Sequence, residues 1–230
     1  MKTSALFILG ALPLLCLLAF SAQAAPDQIQ GQNQVQHPEG VVAYCFDGDT
    51  LKLKDRRIVR LAGIDAPETA HKDAPAQYYS RQARQILEGL ARGKTIRLEF
   101  PGANIKDRHG RLIANALLPD GTSLNEQLVQ AGAAFFYPHE DLDPEFQKRL
   151  AKLQAEAIQE RRGFWEGLLN LPLAKENYVG NRNSLRFFPN NCPPAQQIRP
   201  RNKENFGTLM DAFLAGYAPA RICVFWPTEK

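Results

Sequence analysis

Long apolar runs, cysteine and histidine are all scarce in this 230-residue chain, and each scarcity narrows what the protein can do. The one sustained apolar run, residues 5–20, is interrupted by Gly10 and Pro13 and falls short of the roughly 20 residues that span a bilayer. The four cysteines and four histidines form no His-and-Cys cluster, which argues against a zinc site. Neither sign of charge dominates. With 28 basic and 24 acidic residues the formal charge is +4, a mild bias that permits a polyanionic partner without requiring one. At 44% hydrophobic and 23% charged residues, the composition also gives no sign of wholesale disorder, and the length suits one main domain with an appendage.

What is present begins with a leader. Lys2 precedes the apolar run, and Ala22-Gln23-Ala24 follows it as a small-x-small cleavage site, so residues 1–24 read as a secretory signal peptide. An uncleaved anchor is the rival reading, disfavoured by the short run. Cys16 is preceded by Leu15 where a lipoprotein signal wants a small residue, so export as a soluble protein, periplasmic or secreted, is expected. Export gives the remaining cysteines a meaning, because an oxidising compartment lets two of them pair. Cys192 and Cys223 share the C-terminal segment and are the natural couple. Cys45, in an apolar run, reads as a free buried thiol, a bridge being the alternative.

Residues 25–39, rich in Gln, Asn and Pro, read as a flexible lead-in. Residues 41–46, 51–53 and 58–64 are predicted strands separated by short polar turns, hence an antiparallel meander. A helix is predicted over 75–91, where Tyr79, Ala83, Ile86, Leu87 and Leu90 recur at helical spacing and Pro75 is acceptable in the first turn. Two more strands follow at 96–100 and 112–118. Ser123 with Glu126 marks a capping box opening a second helix, and Asp143-Pro144 starts a third with Phe146, Leu150, Leu153 and Ala157 on one face. Five short strands, one helix after the third and two helices at the end suggest a mainly β plus α protein built on a closed barrel of the OB type.

The chemistry lies in acids and arginines. Asp47-Gly48-Asp49-Thr50 is a tight turn carrying two acids, and turn propensity alone accounts for both. Downstream, the strand of Val59, Leu61 and Ile64 delivers Asp65 and Glu68 to either side of Pro67 as it leaves the sheet. Like charges held together repel, so such clustering is usually tolerated where a cation compensates, and oxygen-only ligands imply Ca²⁺ or Mg²⁺. Arg60 and Arg111 stand close in sequence to these acids, and a guanidinium suits phosphate. Each taken singly also reads as a surface ion pair.

The segments Asp47-Gly48-Asp49-Thr50, Arg60-Leu61-Ala62-Gly63-Ile64-Asp65-Ala66-Pro67-Glu68, Asp107-Arg108-His109-Gly110-Arg111 and Ser123-Leu124-Asn125-Glu126 together resemble, in order and spacing, the staphylococcal nuclease (thermonuclease) family. The resemblance runs from about residue 40 to 163. It implies a five-stranded OB-fold barrel with three helices and Ca²⁺-dependent hydrolysis of DNA and RNA that leaves 3′-phosphates. It also implies roles: Asp49, Asp65 and the Ala66 carbonyl as calcium ligands, Glu68 as general base, Arg60 and Arg111 on the phosphate. One departure is Ala66, where the family has Thr after the second calcium Asp, a small loss where only the carbonyl binds, and the others fall in the nucleotide pocket. Arg108-His109 stands where the family has Lys-Tyr, and Phe135-Phe136-Tyr137 replaces a tyrosine pair, leaving Tyr137 as the one hydroxyl. His109 and Tyr137 are therefore candidate substrate contacts, with a plain loop histidine as the alternative for His109. The expected partners are DNA and RNA, single strands preferred, with no stable membrane association once the leader is removed and a monomeric state.

The expected organisation is then a signal at 1–24, a lead-in at 25–39, a nuclease-like barrel at 40–166 and a C-terminal extension at 167–230. In the extension only 206–217 and 221–226 read as regular, a helix and a strand. It is read either as a disulfide-tied support for the barrel or as an added nucleic-acid surface using Arg182, Arg186, Arg199, Arg201 and Lys203 with Phe187 and Phe188 as stacking groups. For the whole protein, the alternative to a nuclease is a non-catalytic OB-fold module that binds single strands.

Overall fold

The computed structural model describes residues 38–72, 74–223 and 226–229, and residues 36–230 form one compact unit. The expected signal peptide and nearly all of the lead-in lie outside the described residues. Alternating apolar residues and polar turns give β1 (Glu39–Cys45), β2 (Thr50–Leu53) and β3 (Ile58–Leu61), then the two-residue β4 (Ile64–Asp65). Helix α1 (Ser80–Ala91) leads to β5 (Thr95–Glu99), and β6 (Leu112–Leu117) follows. Strands β1, β2, β3, β6 and β5 close into the expected barrel. All its pairs are antiparallel except β3 with β6. The fold starts two residues earlier than expected, because Leu98 N–H donates to Pro38 O and Glu39 pairs with Arg97.

The barrel core is aliphatic, with Val42, Leu51, Leu53, Val59, Leu61, Leu87, Ile96 and Leu98 at most 1% exposed. Cys45 is free and buried there, as expected, and burial pushes its thiol up to about 12. Helix α2 (Leu124–Gln130) is capped by Ser123, which accepts from Glu126 N–H. The Glu126 carboxylate takes Arg149 Nε instead of closing the box. Next come β7 (Phe135–Phe136), paired antiparallel with β4, and α3 (Pro144–Gln159), capped by Asp143. Buried Asn125 ties these parts together: its Nδ2 donates to Ala62 O and Ala114 O while its Oδ1 accepts from Ala116 N–H.

The first helix begins at Ser80, five residues later than its periodicity predicts. Tyr79 takes a left-handed φ of 71°, and residues 76–78 are claimed by the C-terminal tail: Tyr78 N–H donates to Pro227 O and Glu229 N–H to Ala76 O. Glu229 then sets its carboxylate at the start of α1, accepting from Ser80 Oγ and Arg81 N–H. An anion there complements the partial positive charge of a helix N-terminus.

Beyond the barrel, α4 (Phe164–Leu168) runs across the expected 166/167 boundary. The strands β8 (Tyr178–Asn181) and β9 (Arg186–Pro189) precede the single turn α5 (Pro193–Gln196). After it come β10 (Lys203–Phe206), α6 (Leu209–Leu214) and β11 (Ala218–Pro219). The four strands make a second sheet in the order β10, β8, β9, β11, where the sequence suggested no sheet. The helix expected over 206–217 shrinks to α6 because Phe206 belongs to β10 and Gly216 turns the chain at a φ of 81°. No strand forms over 221–223, where the backbone bends toward the Cys192–Cys223 disulfide. A second core, largely aromatic, joins this region to the barrel side: Phe135, Phe164, Trp165, Phe213 and Trp226 meet mostly edge to face, with centroids 4.5–6.5 Å apart. Buried Gln154 links it to α3 by accepting from Phe136 N–H and donating to Phe213 O. Phe187 and Phe188 are buried as well, at 0% and 9% exposure, so the stacking role considered for them is ruled out.

Candidate active site

Strand β3 is the hinge of the site. Arg60 lies opposite Thr50 of β2 and beside Ile113 of β6, so Asp49 at the start of β2 and Arg111 at the start of β6 are drawn to the same end of the barrel. After β3 the chain turns at Gly63, whose φ of 70° suits glycine and whose missing Cβ would lie 2.8 Å from Leu150 Cδ1. The reversal sends Asp65 back beside Arg60. Gly48 is needed for a different reason: a Cβ there would lie 2.7 Å from Ala66 Cβ and 2.8 Å from Ala83 Cβ.

Asp47 is spent on its own turn, accepting from the N–H groups of Asp49 and Thr50. Asp49, 4% exposed, accepts from Thr50 Oγ1 at Oδ1 and from Ala66 N–H at Oδ2. Arg60 Nη2 then reaches Asp49 Oδ2 at 3.1 Å and Asp65 Oδ1 at 2.5 Å, while Nη1 donates to Leu61 O and Ile64 O. The two aspartates thus converge on one cationic nitrogen. Arg60 is a floor residue, its side chain only 12% exposed, and not an open phosphate fork.

Burial dominates the electrostatics. It pushes the Asp49 carboxyl up to about 6, Asp47 adding to the rise and Arg60 opposing it. Asp65 is raised by burial against the pull of Arg60, and Glu68 by partial desolvation and then by the charges of Asp49 and Asp65. Burial works against the charge on Arg60, but the surrounding carboxylates outweigh it and hold the guanidinium more firmly protonated than usual. Four acids here face Arg60 and one further arginine, Arg221, whose Nη2 lies 2.8 Å from Asp65 Oδ1. The cluster has an excess of negative charge.

Asp65 Oδ2, the Ala66 carbonyl and both Glu68 carboxylate oxygens have no protein partner among the described residues. Glu68 is held through its backbone alone, with N–H donating to Gln77 Oε1 and C=O accepting from Gln77 N–H. Among the described residues no three His, Cys, Asp or Glu side chains gather as a metal cage. Asp65 Oδ2 and the Ala66 carbonyl, in a cluster with an excess of negative charge, nonetheless fit a hard cation whose shell is completed by solvent.

Arg111 stands apart from the aspartates. Its Nε donates to Asp107 Oδ2 at 2.6 Å, and neither Nη has a protein partner among the described residues. It lines a cavity of about 430 Å³ together with Arg60, His109 and Tyr137, so the structure gathers these four predicted residues around one hollow. His109 is exposed and accepts from Arg108 Nε. The Tyr137 ring carries the Arg186 guanidinium 3.7 Å from its centroid. Asp65, Ala66 and Glu68 line a neighbouring hollow, and Arg221 lines both. Arg186, considered from the sequence only as part of a separate nucleic-acid surface, arrives from the second sheet, and Arg221, which no motif singled out, arrives from the bend after it.

A family profile described as "Staphylococcal nuclease homologue" matches residues 58–167. A protein of Escherichia coli described as an uncharacterized endonuclease is 36% identical over 129 residues, covering 55% of this chain and 76% of that protein. The thermonuclease of Staphylococcus intermedius is 32% identical over 132 residues, covering 55% of this chain and 75% of that one. Endonuclease YhcR of Bacillus subtilis is 28% identical over 222 residues, covering 85% of this chain but 17% of that protein.

Proposed function

The chain belongs to the staphylococcal nuclease family, and from that premise we propose that it is an exported, calcium-dependent endonuclease that hydrolyses DNA and RNA to leave 3′-phosphates. The observation that carries the reading is the Glu68 carboxylate, without a protein partner among the described residues and raised in pKa, set beside the converging Asp49 and Asp65. An acid in a cluster that repels its charge is suited to take up a proton at neutral pH. The carboxylates of Asp49 and Asp65 with the Ala66 carbonyl would hold calcium, which supplies Lewis acidity and a template for the phosphate.

In the proposed reaction Glu68 takes a proton from water as the water oxygen bonds to phosphorus. The bond from phosphorus to the 5′ oxygen breaks, and that oxygen takes a proton from solvent. The Nη groups of Arg111 meet the phosphoryl oxygens as charge develops on them. Arg60 contributes fixed positive charge from below while holding the two aspartates together. His109 and Tyr137 are proposed to contact the nucleotide in the larger hollow. Export is supported by the Cys192–Cys223 disulfide, since such bonds persist in oxidising compartments. Among the described residues no helix is long and apolar enough to cross a membrane.

The test is incubation of the mature protein with single-stranded DNA, duplex DNA and RNA, in calcium and in chelator, with end analysis of the products. Calcium-dependent cleavage leaving ends that resist polymerase extension until dephosphorylated is the expected result. Tight binding of single strands with no cleavage under any condition would instead identify a non-catalytic module.

A further inference from the structure

Arg221 is the one described residue that lines both hollows at the candidate active site. The second hollow, of about 310 Å³, is floored by Asp65, Ala66 and Glu68, and its far wall joins Pro219, Ala220 and Trp226, beyond the family match, to Ala74 and Phe135 within it. That wall is aromatic and small-residue in character: Trp226 and Phe135 lie 5.5 Å apart and only 30° from parallel, with Ala74, Pro219 and Ala220 beside them. The size falls within the range of small-ligand sites. The wall is also braced on both sides. Trp226 Nε1 donates to Tyr78 O, the tail pairs with residues 76–78, and the Cys192–Cys223 disulfide anchors the chain two residues after Arg221.

We propose that this hollow is a second nucleotide subsite, taking the base on the opposite side of the scissile phosphate from the cavity of Arg111, His109 and Tyr137, with Arg221 binding the backbone phosphate between them. The inference rests on the nuclease reading and extends it. Trp226 and Phe135 are 7% and 4% exposed, so the recess offers a largely closed apolar lining, which suits the flat body of any nucleobase without selecting among them. A cation standing between the two hollows, with its side chain 61% exposed, matches the phosphate that must lie between two bases. Continuity with Glu68 decides the occupant: whatever fills the hollow abuts the reacting phosphate. The second sheet and the tail therefore serve substrate binding as well as support.

Two variants separate the base recess from the phosphate contact. Ala74→Phe fills the hollow from its side, and Arg221→Gln removes the charge, with circular dichroism and thermal unfolding checking that each folds. The probe is a fluorescein-labelled thymidine pentanucleotide titrated in chelator over a range of salt, alongside calcium-supported cleavage of the same oligonucleotide. Ala74→Phe is expected to raise Kd about tenfold with the salt dependence unchanged, as for exclusion of one base from an apolar recess. Arg221→Gln is expected to weaken binding and flatten the slope of log affinity on log salt by about 0.7, as for loss of one phosphate contact on a single strand. A Kd within twofold of the unmodified protein for folded Ala74→Phe overturns the subsite. An unchanged salt slope for folded Arg221→Gln overturns the phosphate role. Should the unmodified protein bind but not cut, the nuclease reading fails while the same binding numbers still judge the subsite. If it neither binds nor cuts, both fall.

Discussion

Among the described residues the Glu68 carboxylate and the Arg111 Nη groups are unengaged side-chain groups of predicted catalytic residues, so these two are the ones to substitute. Glu68→Gln is expected to lower kcat by about 10²- to 10⁴-fold, as loss of a general base does, with melting no lower than in the unmodified protein, because no described group bonds its side chain and one charge leaves a repelling cluster. Arg111→Ala is expected to cost about 10²- to 10³-fold through lost charge stabilisation. Steady-state kinetics beside melting curves check both. The acids of the cluster also predict a dependence on pH. Asp47, Asp49, Asp65 and Glu68 all have folded pKa values raised above their unfolded ones, so the folded state binds more protons as pH falls. For Asp49 the window lies between about 4 and 6. Stability falls as pH rises through it, because the unfolded chain ionises first. In chelator the protein should therefore melt higher at pH 5 than at pH 7, and calcium should raise the melting temperature more at pH 7. A melting temperature in chelator that climbs from pH 5 to 7 counts against this assignment. Asp107 and Asp141 have lowered values and act in the opposite sense, their contributions being lost as pH drops below about 4.

At the scale of elements, Asn125 holds α2 to the ends of β3 and β6, and its three hydrogen bonds are all buried. Asn125→Ala leaves Ala116 N–H and the carbonyl of Ala62 without that partner, for an expected loss of about 2–4 kcal/mol by denaturant titration. The motif was visible as Ser123-Leu124-Asn125-Glu126, but only the end of its helix cap could be argued from spacing. Strands were legible wherever one face is buried and the other wet, since alternation then writes itself into the sequence. Where pairing comes from far along the chain it was not. Residues 75–79 carry helical periodicity, yet Tyr79 takes a left-handed φ and the tail claims the backbone of residues 76–78. Phe187 and Phe188 looked available beside their basic neighbours and are instead packed on both faces of β9.

Over the whole molecule, the second sheet and the barrel share the aromatic core around Phe135, Phe164, Trp165 and Trp226. Truncation after Gly167 strips that core of Phe213 and Trp226, so the shortened chain is expected to be poorly soluble or to melt well below the intact protein. The disulfide closes a separation of 31 residues, and replacing both Cys192 and Cys223 with serine is expected to cost about 2–4 kcal/mol. Weaker oligonucleotide binding should accompany it, because the bend that carries Arg221 loses its anchor. Unchanged melting temperature in the double variant would show that packing alone holds the extension.

The acids, the arginines and the five strands of the barrel could be read from the sequence because turn chemistry, alternation and motif spacing are local properties. Asp49, Arg60, Asp65, Glu68 and Arg111 lie within 63 residues on consecutive elements of one barrel, so their convergence follows from that order. Only the tertiary structure decided that Arg60 is locked beneath the aspartates, that Tyr137 is capped by Arg186, and that Arg221 crosses 156 residues of sequence to reach Asp65. Such contacts are set by how two cores pack against each other, and no local pattern in the chain encodes them.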